Sequence, residues 1–174
     1  FLEEDFAPLH ARVCAAVAAG AARAGIDPAA DLPGAERTLS PSDAGFHNTL
    51  LRQDGELVFL DFEYFGWDDP AKLVADFFLQ PQAPLAPPLR PGFLARLEPG
   101  FGGRPGFRAR LALLYPLLAL KWCLIMLNVY LRPALPGREA VENREGQLAR
   151  ASAALGALRA ECENRLFPCG GFDI

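Results

Sequence analysis

The chain is short of residues that bind soft metals. It holds two histidines, His10 and His47, and four cysteines, Cys14, Cys123, Cys162 and Cys169, none in a C-x-x-C pair, so no zinc-ligand spacing can be assembled. Scattered thiols of this kind point to a reducing, cytoplasmic setting. Basic residues are scarce too: 17 Lys and Arg stand against 21 Asp and Glu, giving a net charge of -4. A nucleic-acid binder carries the opposite balance, so no nucleic-acid partner is expected. Secretory signals are missing, because the Ala-rich stretch 11–24 is interrupted by Arg12 and Arg23. A clean membrane span is missing as well. Residues 111–131 approach the ~20 apolar residues needed to cross a bilayer. Lys121 at their centre would cost about 2.5–3.5 kcal/mol at mid-membrane, and Pro116 is expected to break the first half. The stretch reads as the core helix of a soluble protein, with no membrane partner.

What is present suits one globular domain. With 174 residues, 51% of them hydrophobic and 22% charged, the chain can bury a sizeable core. Its charge is divided unevenly. Residues 1–80 hold 14 acids and 5 bases, whereas 81–174 hold 7 acids and 12 bases. Six carboxylates (Asp54, Glu56, Asp61, Glu63, Asp68, Asp69) follow one another with no base among them. A cation there would lower the cost of crowding them; a solvated acidic loop is the simpler alternative. The first residue is Phe1 rather than Met, which suggests a processed product or a cut from something longer.

The pattern predicts a mainly helical α+β fold in three stretches. Residues 1–80 begin with an Ala-rich helix over 2–24, closed by Gly25 and Pro28. Extended segments follow at 37–39, 49–52 and 56–60, with Asp54-Gly55 as the hairpin turn between the last two. Asp69 then reads as the N-cap of a helix starting at Pro70 and running to about residue 79. Five prolines between positions 81 and 91 predict a stiff connection, spanning 81–92, rather than an element. Residues 93–174 form the helical remainder: a short helix at 93–98, a long apolar one at 105–131 stopped by Pro133 and Pro136, and a last one at 138–167 burying Leu148, Leu155 and Leu158.

Chemistry is to be sought where loops are rich in carboxylates. Ser40-Pro41-Ser42-Asp43-Ala44-Gly45-Phe46-His47-Asn48 is one such place and Leu60-Asp61-Phe62-Glu63 the other. An antiparallel hairpin between them can bring Asp43, Asn48 and Asp61 to one end of a sheet. Magnesium takes hard oxygen ligands and leaves positions for waters and phosphates, which suits Asn48 and Asp61. Asp43 nearby could orient or deprotonate a hydroxyl that attacks a terminal phosphate. Taken singly, each residue has a plainer use: Asp43 capping a turn, Asn48 bonding loop backbone, Asp61 ending a strand.

These segments, with Gly66-Trp67-Asp68-Asp69-Pro70, resemble the C-terminal lobe of the aminoglycoside phosphotransferase and choline kinase-like family. There a D-x-x-x-x-N loop precedes a hydrophobic-D-F-[DE] strand end and a G-[WD]-x-D-P helix start. The resemblance covers residues 40–76 and implies a lobe like the helical lobe of protein kinases. It also implies ATP and Mg2+ as cofactors, Asp43 as catalytic base, and Asn48 and Asp61 as metal and nucleotide ligands. The acceptor would be the hydroxyl of a small metabolite, sugar or aminoglycoside-like molecule. The chain departs from the family in three ways. Ser40 or Ser42 stands where a His is common, and Leu73 where many members have Asp. No Gly-rich loop or strand lysine precedes the first helix; Lys72 and Lys121, the only lysines, come later.

The reading is therefore the catalytic lobe of an ATP-dependent small-molecule kinase, its N-terminal lobe absent from this chain and supplied in cis or in trans. The alternatives are a non-catalytic binding or scaffold module of the same descent and a metal-dependent phosphohydrolase. The basic balance of residues 81–174 favours a neutral or anionic acceptor such as a sugar. Lys121 and Asn128, seven residues apart on one helical face, are candidates for lining the acceptor pocket opposite Asp43. The plainer reading runs the Lys121 methylenes over the core, with its ammonium in water. Asp69 and Asp76 are expected to be structural. Phe62, Tyr64, Phe65 and Trp67 are expected to pack the helix start against the metal loop.

Overall fold

A computed structural model of the chain describes residues 1–101, 106–131 and 144–163. One π-helical turn, Leu2–Phe6, runs into α1 (Ala7–Ala24). The helix ends because Gly25 takes a left-handed φ of 65° and Ile26 N–H reaches back to the Ala21 carbonyl at 2.9 Å, a closure that favours a residue without Cβ. Next come β1 (Thr38–Ser40), β2 (Thr49–Leu51), β3 (Leu57–Phe59) and β4 (Gly66–Asp68). They form two separate two-stranded antiparallel ribbons, β1 with β4 and β2 with β3. The inner ribbon is the expected hairpin around Asp54-Gly55, registered Thr49↔Phe59 to Leu51↔Leu57. The outer ribbon encloses it, pairing Ser40 with Gly66.

The remainder is helical: α2 (Pro70–Leu79), α3 (Arg90–Leu97), α4 (Phe107–Met126) and α5 (Arg144–Glu163). Asp69 caps α2, its Oδ1 accepting from Ala71 N–H at 2.8 Å, with Pro70 in the first turn where its missing N–H costs nothing. The core is built around α4, which packs against α2, α5 and α1, with α3 contributing Leu94. Phe78, Val74, Leu111, Leu94, Leu9, Val13 and Leu158 are almost wholly buried there. Each such side chain contributes about 1.5–3 kcal/mol by leaving water.

The structure corrects the expected helix bounds in two places. The proline-rich connection is shorter than 81–92: Pro87–Leu89 forms a 3-10 turn and the following helix starts at Arg90, not at residue 93. Pro91 sits in the first turn of α3, a position that proline favours, so it begins the helix rather than forbidding it. Pro116, expected to break the long helix, lies buried inside an unbroken α4. Burial on every side, with Leu111, Tyr115, Leu118, Leu120 and Cys123 all inside, outweighs the hydrogen bond that the proline removes. α4 with the next turn is long and apolar enough to cross a membrane; here it packs against α1, α2 and α5 and leaves Leu124 and Ile125 exposed. It ends at Met126, and 127–130 is 3-10, so Asn128 is not on the α-helix proper. Of the last helix, residues 144–163 are described and bury Ala151, Leu155 and Leu158, while Leu148 is half-buried. The expected stops Pro133 and Pro136, the expected ends at 138 and 167, and Cys169 lie outside the described residues.

Candidate functional site

The segment 40–48 is folded by its own polar side chains. Buried Ser40 accepts from Ser42 N–H at 3.0 Å through its Oγ, and Ser42 Oγ–H donates to the Tyr64 carbonyl at 3.1 Å, tying this loop to the one after β3. Thr49 Oγ1–H donates to the Gly45 carbonyl at 2.9 Å. Asn48 Nδ2–H donates to the Asp43 carbonyl at 3.0 Å and to Asp43 Oδ2 at 3.4 Å, so these two predicted site residues are in direct contact.

Asp61 stands at the same end of the inner ribbon. Leu60 N–H donates to the Asn48 carbonyl at 2.8 Å, extending the ladder one bond past Thr49↔Phe59, and Asp61 follows immediately. Its carboxylate is exposed and is not hydrogen-bonded to Asp43 or Asn48. Among the described residues, only Ser42 (φ 62°) and Asp61 (φ 60°) take left-handed backbone conformations without being glycine. Each costs on the order of 1 kcal/mol, and such outliers gather at functional sites. One lies directly before Asp43; the other is the predicted metal ligand itself.

A residue that carried no role in the sequence reading joins this site. His47 Nε2 lies 3.3 Å from Asp43 Oδ2, with the imidazole about nine-tenths buried. Its Nδ1 is buried without a hydrogen-bond partner among the described residues. The ring comes close against Gly45: a Cβ at position 45 would come 2.6 Å from His47 Nδ1 and 3.3 Å from Gln80 Cγ. Gly45 has an extended φ of 179°, open to any residue, so glycine is needed there for space alone. The only signal in the sequence is the i, i+4 spacing from Asp43.

Two expectations fail. Phe62, Tyr64, Phe65 and Trp67 do not pack α2 against the loop. All four are half or more exposed, joined only by an edge contact between Phe62 and Phe65. Two-stranded ribbons have no second layer to bury them, and residues 50–65 are exposed throughout. Tyr64 has its phenol held above its ordinary range by neighbouring Glu63, with a smaller effect from Asp61.

Lys121 neither turns its ammonium to water nor faces Asp43. It reaches Asp76 Oδ1 at 2.7 Å, where Trp122 Nε1–H also donates at 2.9 Å, and Lys72 approaches the other Asp76 oxygen at 3.4 Å. Lys72 also holds Asp68 at 2.7 Å. Burial alone would lower the Lys72 pKa, but these two carboxylates outweigh it and raise it. Asp76 has a side chain only 5% exposed, so it is structural as expected, and both lysines converge on it. Lys121 and Asn128 do border one hollow of about 330 Å³ with Phe6, His10 and Leu124, but no residue of 40–63 lines it. Asp69, besides capping α2, holds Arg110 Nε at 3.0 Å, and Arg110 in turn holds Glu36 at 2.7 Å.

The two predicted metal ligands, Asn48 and Asp61, offer oxygens. With Nδ2 given to Asp43, Asn48 presents Oδ1, and Asp61 presents a carboxylate; the described residues contain no group of three or more His, Cys, Asp and Glu placed to hold a metal ion. An ion seated there would have to complete its shell with water and substrate oxygens, as magnesium does. No family model matches the chain, and neither the curated proteins nor the solved structures include a significant match to it.

Proposed function

We propose that this chain is the catalytic lobe of an ATP-dependent small-molecule kinase of the cytoplasm, resembling the aminoglycoside phosphotransferase and choline kinase-like family. The observation that carries the reading is the joined pair Asp43–Asn48 at the end of the ribbon whose other strand finishes at strained Asp61. Asn48 Oδ1 and Asp61 would hold magnesium, which supplies charge neutralisation at the phosphates when bound. Asp43 would accept the proton of the acceptor hydroxyl as that oxygen bonds to the terminal phosphorus and the bond to the departing diphosphate breaks. With Oδ2 flanked by His47 and Asn48, Oδ1 is the oxygen left to take it.

The apolar side chains left exposed among the carboxylates between Leu50 and Phe65, with Trp67 beside them, support a nucleotide lobe covering this face in cis or in trans. A non-catalytic binding or scaffold module is the second reading. It is favoured by the pairing of both lysines with Asp76, which leaves the chain no lysine for phosphates.

The test uses the chain together with its nucleotide lobe. Asn48→Ala and Asp61→Ala should weaken Mg-ATP binding measured by calorimetry. Asp43→Ala should bind Mg-ATP normally and lose turnover. Undiminished turnover by Asp43→Ala overturns the assignment, and binding without turnover on any hydroxyl acceptor turns it to the second reading.

A further inference from the structure

Away from the carboxylate loops, the last turn of α2, the following proline-rich strand of chain, α4 and α5 enclose an open hollow of about 690 Å³, within the range of small-molecule sites. It exists because α5 turns small side chains, Ala153, Ala154 and Ala157, toward the aromatic wall of Phe78 and Trp122. An alanine face opposite rings and prolines leaves a slot suited to a flat apolar body.

One end of the slot is polar, and its groups balance one another. Arg90 donates through Nε to the Leu85 carbonyl at 3.3 Å, through Nη1 to Tyr115 Oη at 2.8 Å and through Nη2 to the Phe78 carbonyl at 3.3 Å. Its guanidinium also stacks on the Phe78 and Tyr115 rings. Three of the five guanidinium N–H groups are thereby engaged, leaving two as donors. Glu161 closes the same end, its only hydrogen bond among the described residues being a long one, 3.5 Å, from Tyr115 Oη–H. The carboxylate therefore offers acceptor capacity, the guanidinium offers donors, and at this end their charges cancel; Arg150, the third charged residue of the lining, stands at an exposed position eleven residues before Glu161 on α5, about 16 Å along the helix from this end. A cationic head would meet Arg90 and an anionic head would meet Glu161. A hydroxyl both donates and accepts and carries no charge. Burial raises the Glu161 carboxyl, with Arg90 opposing, in keeping with a weakly hydrated end wall.

We propose that this hollow is a binding site for a neutral hydroxylated ring compound, its apolar body between the α5 alanines and Trp122 and its hydroxyl between Arg90 and Glu161. The proposal stands apart from phosphoryl transfer and does not need Asp43 or a nucleotide.

Calorimetric titration of the chain with 2-naphthol, without ATP or magnesium, tests it. Binding is expected, and 2-methoxynaphthalene, lacking the donor, should bind about fivefold more weakly. Naphthalene-2-carboxylate and 2-(aminomethyl)naphthalene should bind more weakly than 2-naphthol. Ala157→Leu, on an exposed helix position where leucine is well tolerated, fills the slot and should weaken 2-naphthol binding about tenfold or more with Tm unchanged. Glu161→Ala should remove the difference between the hydroxyl and methoxy compounds. No measurable 2-naphthol binding, affinity untouched by Ala157→Leu, or a charged analogue binding as tightly as 2-naphthol would each overturn the proposal. None of these results depends on whether the chain supports a kinase.

Discussion

Replacing Asp76 by alanine removes the one acceptor on which Lys72, Lys121 and Trp122 converge, and the loss can be worked out partner by partner. Trp122 Nε1–H gives up a 2.9 Å hydrogen bond, worth about 1 kcal/mol. A fully buried ion pair would cost about 3–5 kcal/mol to break. The Lys121 side chain is 39% exposed, however, and can swing its ammonium into water, so its share falls to about 1 kcal/mol. Lys72 keeps Asp68 at 2.7 Å and loses little. The sum is about 2 kcal/mol, a lowering of Tm by roughly 4–8 °C for a chain of this length. Asp76→Asn, which keeps an oxygen for Trp122, should cost about half as much. Lys121→Met should cost less than Asp76→Ala, since it leaves Asp76 paired with Lys72 and Trp122. Urea unfolding with unchanged m-values is the assay. If Asp76→Ala unfolds within about 0.5 kcal/mol of the native chain, the convergence is not structural and the argument fails.

Three other outcomes are expected. Asp69→Ala should destabilise by about 1–2 kcal/mol, because it removes the α2 cap and one carboxylate of the Arg110 cluster; a Tm within 1 °C of native, to the order set by the ~1 kcal/mol of a cap, refutes both roles. Gly45→Ala meets no backbone penalty, so its cost, about 1–3 kcal/mol from the clash with the imidazole, should largely vanish in a His47→Ala background; additive costs in the double-mutant cycle would show that the ring is not the obstacle. Glu161→Gln probes pH. Burial raises the folded carboxyl above its unfolded value, so the stability from the protonated form is full below the ordinary value of 4.5 and is lost as pH rises through the folded one. The variant should match native Tm near pH 4 and exceed it increasingly toward pH 7; a constant or shrinking difference contradicts the assigned burial.

Local signals carried the helices and turns because they are written in short-range chemistry. Gly25 ends α1, Asp69-Pro70 starts α2, and Asp54-Gly55 turns the inner hairpin, each by a preference that needs no distant partner. Proline misled where tertiary burial decided the matter, as at Pro116, or where its position in a first turn reversed its meaning, as at Pro91. At the carboxylate loops, spacing was enough to pair Asp43 with Asn48 and bring Asp61 to the same ribbon end. His47 was missed because its role depends on a close approach over Gly45, which spacing does not encode. Lys121 was misread because its partner lies 45 residues away on another helix. The exposed aromatics were expected to be buried because composition shows apolar side chains without showing whether a second layer stands over them.

Both lysines of this chain are tied to one aspartate, Lys72 from within α2 itself and Lys121 across from α4, so only the second pairing spans two helices. Acylating reagents react with the unprotonated amine, a form that the carboxylates around Lys72 make rarer. The rate of acetylation at Lys121, set against that at Lys72, whose partners do not lie on α4, therefore reads how often the ion pair between α4 and α2 opens. It tracks that one contact between helices without a substituted residue.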